Sequence, residues 1–536
     1  METISLRDYE KLGPFEVKDE LIKIARRTTT QSNLAFLNAG RGNPNWIATK
    51  PREAFFLLGQ FAITESRRSM DLPAGVGGMP QAPGIAARLD GWLAQHPEAP
   101  GAAFLGQMVH YAIDKFAFKP DAFVHELVDS IIGDNYPVPD RMLVHNEQIV
   151  HEYLMWAMCG QPRPAGKFDL YAVEGGTAAM CYIFKSLKAA RLLNPGDTIA
   201  LGVPIFTPYL EMPHLEDYGL EIINIQASRE DTYQFTASDF EQLENPKVKA
   251  FFIVNPGNPT GVALHEDAID LLVQFVKTKR PDLIILTDDV YGTFVHNFRS
   301  LLGVLPRNTI GVYSYSKYFG CTGWRLGVIA LHQDNIIDEK IAAHPESIKK
   351  VLDKRYSALT LEPRKIKFID RIVADSRDVA LNHTAGLSLP QQVMMTMFSL
   401  FELMDGGKEY QKACMEIVHH RFRLAVESLG LDITAWPTYD AYYGLFDLEY
   451  WLKNNVSPEV LDYVRANVHP LDIVFRLAEE HGIVLLNGGG FAAPNWSARV
   501  SFANLDDEAY ANIGRAVRAV ATGYVREYEA AKRAVR

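Results

Sequence analysis

Ser314-Tyr-Ser-Lys317-Tyr-Phe-Gly-Cys-Thr-Gly-Trp-Arg325-Leu-Gly327 is the stretch on which the reading of this chain turns. It directly follows the short β-branched run Thr309–Tyr313, so it sits at the C-terminal end of a strand, where open α/β sheets place their ligands. One lysine lies among hydroxyl side chains, with an arginine eight positions on. Such a lysine becomes a nucleophile toward a carbonyl only when neutral, yet a free lysine has a pKa of about 10.4. Nearby positive charge and partial burial lower that value. Arg325 supplies such a charge and, with Ser314, has the chemistry to hold a phosphate.

Around this stretch the chain reads as α/β. Apolar, β-rich runs recur at Ile199–Val203, Glu221–Ile225, Lys249–Val254, Leu283–Thr287, Thr309–Tyr313 and Gly327–His332, with helical patterns such as Thr177–Leu193 and Glu266–Lys279 between them. Strands alternating with helices predict a mostly parallel sheet covered on both faces. Beyond residue 390 the pattern changes to amphipathic helices, Gln391–Met404 and Tyr410–Leu429, a short αβ stretch and a long charged helix, Asp506–Arg536. The expected organisation is an N-terminal segment 1–55 packing on the small domain, a helical insertion 56–135 broken at Leu72–Pro80, a large domain 136–380 and a small C-terminal domain 381–536.

Composition narrows the function classes. With 536 residues, 48% of them apolar, the chain is long enough for two domains and a sizeable core. A net charge of −11 without basic clusters argues against nucleic acid or an anionic membrane as a partner. The N-terminus lacks the apolar core of a signal peptide, and no stretch approaches the roughly 20 apolar residues of a membrane span. The four cysteines, Cys159, Cys181, Cys321 and Cys414, form no C-x-x-C pair and read as core thiols of a cytoplasmic protein. No metal site is expected.

Three further stretches carry chemistry. Asn255-Pro-Gly-Asn258-Pro-Thr-Gly261 follows a strand and offers the Asn258 amide to a ligand oxygen, although a structural double-proline turn explains it equally well. Thr287-Asp288-Asp289-Val290-Tyr291 ends another strand, and an acid buried there is costly unless paired. A pyridinium N–H is such a partner. At 4 Å and an effective dielectric near 20 the pair is worth about 4 kcal/mol before desolvation, enough to keep a ring nitrogen protonated and the ring an electron sink. Tyr291 is placed to reach the ring's phenolic oxygen. Glu174-Gly-Gly176-Thr177 opens a helix with small residues, which lets backbone N–H groups approach a phosphate at the helix's positive end. A lysine, a ring-nitrogen acid and a phosphate cup together describe a site for pyridoxal 5′-phosphate (PLP), with Lys317 as the Schiff-base residue.

The order and spacing of these stretches resemble the fold-type-I PLP enzymes, in particular the aspartate aminotransferase class, over roughly residues 30–55 and 130–510. The resemblance implies that Lys317 bonds the cofactor and Asp288 its ring nitrogen. It implies that Tyr291 and Asn258 face the phenolic oxygen, and that Gly176, Thr177, Ser314 and Arg325 form the phosphate cup. It puts Phe206, in Val203-Pro-Ile-Phe-Thr-Pro208, where the family stacks an aromatic ring on the cofactor, with plain core packing as the alternative. It makes Arg499, in Ser497-Ala-Arg-Val-Ser-Phe502, the fork for the substrate α-carboxylate. It lets Tyr136, in Asn135-Tyr-Pro-Val-Pro139, reach the phosphate of a neighbouring subunit, so a homodimer with shared sites is implied.

Two features depart from ordinary aspartate aminotransferases. One is the insertion. The other is Leu381-Asn-His-Thr-Ala-Gly-Leu-Ser-Leu-Pro390, which has no arginine where those enzymes hold the substrate's distal carboxylate. With Leu37-Asn-Ala-Gly-Arg-Gly-Asn-Pro-Asn-Trp46 and the chain length, these features are similar to the L-aspartate 4-decarboxylases, which convert aspartate to alanine and CO2, also transaminate, and assemble from dimers up to dodecamers. Position in the N-terminal turn makes Arg41 a candidate for the distal carboxylate, with a surface or interface arginine as the alternative. The competing expectations are an aspartate or aromatic aminotransferase without decarboxylation, and a PLP-fold binding module.

Overall fold

The computed structural model describes residues 6–32, 34–215, 218–377, 385–431 and 437–534. Its centre is a seven-stranded sheet. The strands are β1 (Phe168–Val173), β2 (Thr198–Val203), β3 (Glu221–Gln226), β4 (Val248–Val254), β5 (Ile284–Asp288), β6 (Thr309–Ser314) and β7 (Gly327–His332), in the spatial order β1-β7-β6-β5-β4-β2-β3. Six of them were expected from their apolar runs; β1 was not.

Five neighbouring strands, β6 to β3, are parallel, whereas β7 runs antiparallel to both β6 and β1. The physical reason lies in the connection. Residues 315–326 form turns and the short 3-10 segment Thr322–Trp324 instead of a crossover helix, so the chain turns back and β7 pairs with β6 in the opposite sense. That return loop is the Lys317 stretch. Every residue of β1, β2, β5, β6 and β7 is buried, as a sheet covered on both faces requires. Side chains alternate between two cores: Leu170, Ala172, Ile285 and Tyr313 face one, and Tyr171, Val173, Ile284, Leu286, Ile310 and Val312 face the other.

A third core unites the two ends of the chain. Val17, Leu21 and Ala25 of the helix Pro14–Gln31 pack among Ile473, Leu477, Ile483 and Val517. Leu37–Asn38 extends this contact by pairing parallel with Ile483–Val484. Beside it stands a small antiparallel sheet in which Ser497–Ser501 lies between Tyr443–Asp447 and Leu486–Asn487.

The stretch between residues 49 and 132 forms four helices, Thr49–Ser69, Ile85–Gln95, Ala102–Phe116 and Pro120–Ile132. The interruption at Leu72–Pro80 is a hairpin pairing Asp71–Leu72 with Val76–Gly77. The helices are fastened to each other by Glu65, 2% exposed, which accepts from Arg88 at 2.7 Å and Arg68 at 3.1 Å. They are fastened to the large sheet by Arg52, whose guanidinium donates to the carbonyls of Phe319 at 3.0 Å and Gly320 at 2.8 Å. The first of these helices, Thr49–Ser69, is thereby tied to the Lys317 loop. Among the described residues no helix is long and apolar enough to cross a membrane. Cys159, Cys321 and Cys414 are buried free thiols, while Cys181 is exposed, contrary to the expectation that all four lie in the core.

Candidate active site

Parallel pairing brings the chemistry-bearing stretches to one edge of the sheet. Val254, at the end of β4, lies opposite Asp288, at the end of β5, and Asp288 in turn lies opposite Val312 of β6. Asn258, Asp288 and Lys317 follow these three strand ends, so residues up to 59 positions apart in sequence converge because their strands are neighbours.

Asp288 is 5% exposed. Its Oδ2 accepts from the Tyr209 hydroxyl at 2.6 Å and its Oδ1 from the Val290 backbone N–H at 3.2 Å. Burial pushes its pKa up to about 6, against the opposing pull of the Tyr209 and Val290 hydrogen bonds and the Lys317 charge. Asp289 points elsewhere, to Thr287 Oγ1 at 2.6 Å and to Ser300, and burial raises it to about 7. Tyr209 went unrecognised in the sequence. It stands one helical turn beyond Phe206, and its ring meets that of Phe206 edge to face at 5.3 Å. Phe206 itself is half-buried and also touches Phe15 in a small aromatic cluster.

Lys317 is half-buried, and its Nζ donates to the Gly42 carbonyl at 3.0 Å. Gly42 has no room for a side chain: a Cβ there would lie 2.5 Å from the Tyr443 hydroxyl and 3.0 Å from Lys317 Nζ. The Tyr442 hydroxyl donates to the same carbonyl at 2.8 Å. The N-terminal turn is thus clamped over the lysine, an arrangement strengthened by Trp46 Nε1 donating to Tyr318 O at 3.1 Å.

Arg499 is 1% exposed. Its guanidinium donates to Asn258 Oδ1 at 3.0 Å and Gly40 O at 2.9 Å, and stacks over the Tyr443 ring at 4.2 Å. Its Nε is a buried donor without a protein acceptor. Asn258 also faces Tyr291, with Nδ2 3.5 Å from the hydroxyl. The Tyr291 and Tyr443 rings meet edge to face at 5.4 Å.

At the other end of the pocket, Gly175 adopts φ 92°, ψ 174°, a conformation reserved for glycine, and a Cβ there would meet Arg325 Nη2 at 2.5 Å. Gly176 then opens the helix Gly176–Ala189 with its Cα face toward Asp288 Oδ2, 3.4 Å from where a Cβ would sit. Arg325 is held in the left-handed region, φ 57°, and donates to Thr322 O at 2.9 Å and Glu174 O at 3.2 Å. Strained backbone of this kind costs of order 1–3 kcal/mol and persists where surroundings fix a functional side chain. Thr177 is exposed on the helix's first turn, and the buried Ser314 hydroxyl lies 2.9 Å from Ser316 Oγ.

Two expected residues lie apart from this cluster. Tyr136 is at the surface, 69% exposed. Arg41 is exposed, though its neighbours Gly40 and Gly42 both bind site residues. Of the arginine-free stretch, Leu381–Thr384 lie outside the described residues. Tyr443 was not foreseen either. The tyrosine-rich run Tyr439-Asp-Ala-Tyr-Tyr443 at the start of a strand was its only signal.

A lysine beside a buried acid, a glycine-floored helix start with an adjacent arginine, and a buried arginine with an open donor define the class to which the chain belongs. Residues 173–517 match the family Aminotransferase class I and II, and the chain is a member of that family, whose enzymes depend on PLP. Within it, the chain is 48% identical over 525 residues to the bifunctional aspartate aminotransferase and L-aspartate beta-decarboxylase of a Pseudomonas species, spanning 98% of both chains. It is 28% identical to an asparagine–oxo-acid transaminase of Streptococcus mutans over 63% of this chain and 74% of that one. A solved aspartate aminotransferase of Thermus thermophilus superposes with a TM-score of 0.55 at 18% identity, covering 97% of this chain and 100% of its own, and shares the fold.

The residues present fit the cofactor. Asp288 is a buried carboxylate with no cation bonded to it among the described residues, the Gly175–Gly176 floor leaves space that any side chain would fill, and Arg325 borders that space.

Proposed function

We propose that this chain catalyses the PLP-dependent β-decarboxylation of L-aspartate to L-alanine and CO2, with aspartate transamination as a side activity. The near full-length identity to the Pseudomonas enzyme carries this reading. The Arg499 Nε left open among the Lys317, Asn258 and Tyr443 groups supports an α-carboxylate ligand. A plain aminotransferase remains the second reading, favoured by the shared family fold.

In this reading Asp288 holds the ring nitrogen, Tyr291 and Asn258 the phenolic oxygen, and Gly176, Thr177, Ser314 and Arg325 the phosphate, while Phe206 covers the ring face. Tyr136 completes the phosphate cup of a partner subunit in a homodimer. Dimers then assemble further, up to a dodecamer, in the cytoplasm.

When bound, the cofactor supplies an aldehyde carbon and a ring that accepts an electron pair. Arg499 fixes the substrate by two parallel hydrogen bonds to its α-carboxylate, which orients the bonds at Cα. Lys317 Nζ takes and returns the proton at Cα. Loss of CO2 from the distal carboxylate leaves an electron pair at Cβ, and a proton delivered there gives alanine. A firm salt bridge would hold that carboxylate ionised in place. Its looser anchoring, by Arg41 instead of an arginine in residues 381–390, lets it leave.

Incubation with aspartate and no keto acid tests the reading: continuous release of CO2 and alanine is expected, whereas a single half-turnover to pyridoxamine phosphate with oxaloacetate would sink it. Arg41→Ala is expected to lower kcat/KM for aspartate by about 10- to 100-fold, the value of one charged hydrogen bond. Unchanged aspartate turnover would remove Arg41 from the site.

A further inference from the structure

Tyr443 has a position that the roles assigned above leave unused. It begins the strand Tyr443–Asp447, where it lies opposite Ser501, two residues beyond Arg499. Its backbone and that of Tyr442 are pinned by side chains just before the strand. Asp440 accepts from the N–H groups of Tyr442, at 2.7 Å, and Tyr443, and the Tyr439 hydroxyl donates to Tyr443 O at 2.8 Å. The side chain is 2% exposed, with the Arg499 guanidinium over its face. Its hydroxyl and Lys317 Nζ both lie within 3.0 Å of the point where a Gly42 Cβ would be. The ring therefore spans the gap between the arginine that faces the α-carboxylate and the amine that works at Cα.

Decarboxylation at Cβ requires an acid there as well as the base at Cα. Of the groups around Lys317, Arg499 is too weak an acid, Tyr442 gives its proton to Gly42 O, and Tyr291 faces Asn258, on the side assigned to the ring's phenolic oxygen. Tyr443 presents its hydroxyl at the Gly42 turn beside Lys317 Nζ. We propose that Tyr443 is the catalytic acid that protonates the substrate β-carbon once CO2 has left, an inference that rests on the decarboxylase reading.

The step balances. The Cβ–carboxylate bond breaks, CO2 departs, and the bonding pair remains with the substrate at Cβ. The Tyr443 O–H bond breaks as the new Cβ–H bond forms, and the phenolate regains a proton from water through the Lys317 ammonium. The surroundings suit this task. Burial alone would raise the phenol's pKa, but the Lys317 and Arg499 charges and the Tyr291 hydrogen bond outweigh it and hold Tyr443 below the ordinary phenol range. The same charges stabilise the phenolate left behind.

Tyr443→Phe keeps the ring under Arg499 and removes only the acid. With the holoenzyme, CO2 release from aspartate is expected to fall by about 10²-fold or more, the usual share of a positioned acid. Exchange of the alanine Cα proton in heavy water, which needs Lys317 alone, is expected to fall far less. In the cofactor-free protein, ultraviolet titration of phenolate absorbance is expected to show one tyrosine ionising below the ordinary value of about 10, absent from the variant. Equal loss of both rates makes Tyr443 a positioning residue and overturns the proposal, as does undiminished CO2 release or the absence of an early-ionising phenol. A wild-type chain that exchanges the Cα proton without releasing CO2 overturns the decarboxylase reading and this inference with it. Normal release by the variant overturns the inference alone.

Discussion

Replacing Lys317 with alanine is expected to lower aspartate turnover by about 10⁴-fold or more, at or beyond the upper end of what a positioned base contributes, because the same side chain also forms the covalent link to the cofactor. The protein should still fold and still bind PLP. Lys317 is a half-buried residue whose only hydrogen bond among the described residues is to the Gly42 carbonyl, and that carbonyl keeps the Tyr442 hydroxyl as a second donor. Two measurements separate loss of chemistry from loss of structure. Borohydride treatment should fix the cofactor covalently to the wild type and leave the variant unlabelled. Thermal unfolding of the two cofactor-free proteins should nearly coincide. Covalent labelling of the Lys317→Ala protein would show that another amine carries the cofactor and would remove the central assignment of the site.

The lysine could be read from the sequence because the physics that selects it is local. A strand, a tight return and a glycine-spaced arginine all fall between Thr309 and Gly327. The Asp288, Asn258 and Gly176 stretches are local in the same sense, each tied to the end of one strand or the start of one helix. Register then brings them together, since β4, β5 and β6 are neighbours whose ends are aligned. What escaped notice depends on contacts between distant segments. Tyr209 is defined as a site residue by a hydroxyl 79 positions away from the carboxylate it serves. Tyr443 becomes one only when the N-terminal turn folds across the sheet and sets Gly42, 275 positions before Lys317, against both the lysine amine and the Tyr443 hydroxyl. The antiparallel sense of β7 was hidden for a related reason. An apolar run of the kind Gly327–His332 shows burial but not direction, and direction came from the shortness of the loop before it. The edge strand β1 opens with Phe168-Asp169, where a charged residue breaks the apolar run, and Asp169 is compensated at 2.8 Å by Lys367, 198 positions on at the N-cap of the helix Phe368–Asp375.

Asp288→Asn is expected to reduce kcat by about 10³-fold, and also to change how cofactor-free and cofactor-bound protein respond to pH. The rate effect follows from charge. A carboxylate facing a ring N–H is worth about 4 kcal/mol in a protein-like dielectric, and losing most of that stabilisation of the protonated ring corresponds to about three powers of ten. The pH effect follows from burial. In the cofactor-free fold Asp288 has a pKa of about 6, above its ordinary value of 3.8. Between those values the folded chain holds a proton that the unfolded chain has released, so the contribution of this group favours folding at low pH and is lost as pH rises through about 6. The full span corresponds to about 3 kcal/mol. Bound cofactor reverses the preference, because a cationic ring nitrogen favours the ionised carboxylate. The gap in melting temperature between holo and cofactor-free protein should therefore widen as pH is raised from about 5 to 8. In Asp288→Asn this part of the widening should vanish, leaving only what neighbouring groups contribute, among them Asp289, which is raised to about 7 and faces Thr287 and Ser300. A wild-type gap that stays constant across this range would mean that Asp288 does not change its ionisation on cofactor binding. The ring nitrogen would then need another partner. Tyr209 is no substitute, since it already gives its proton to the same carboxylate.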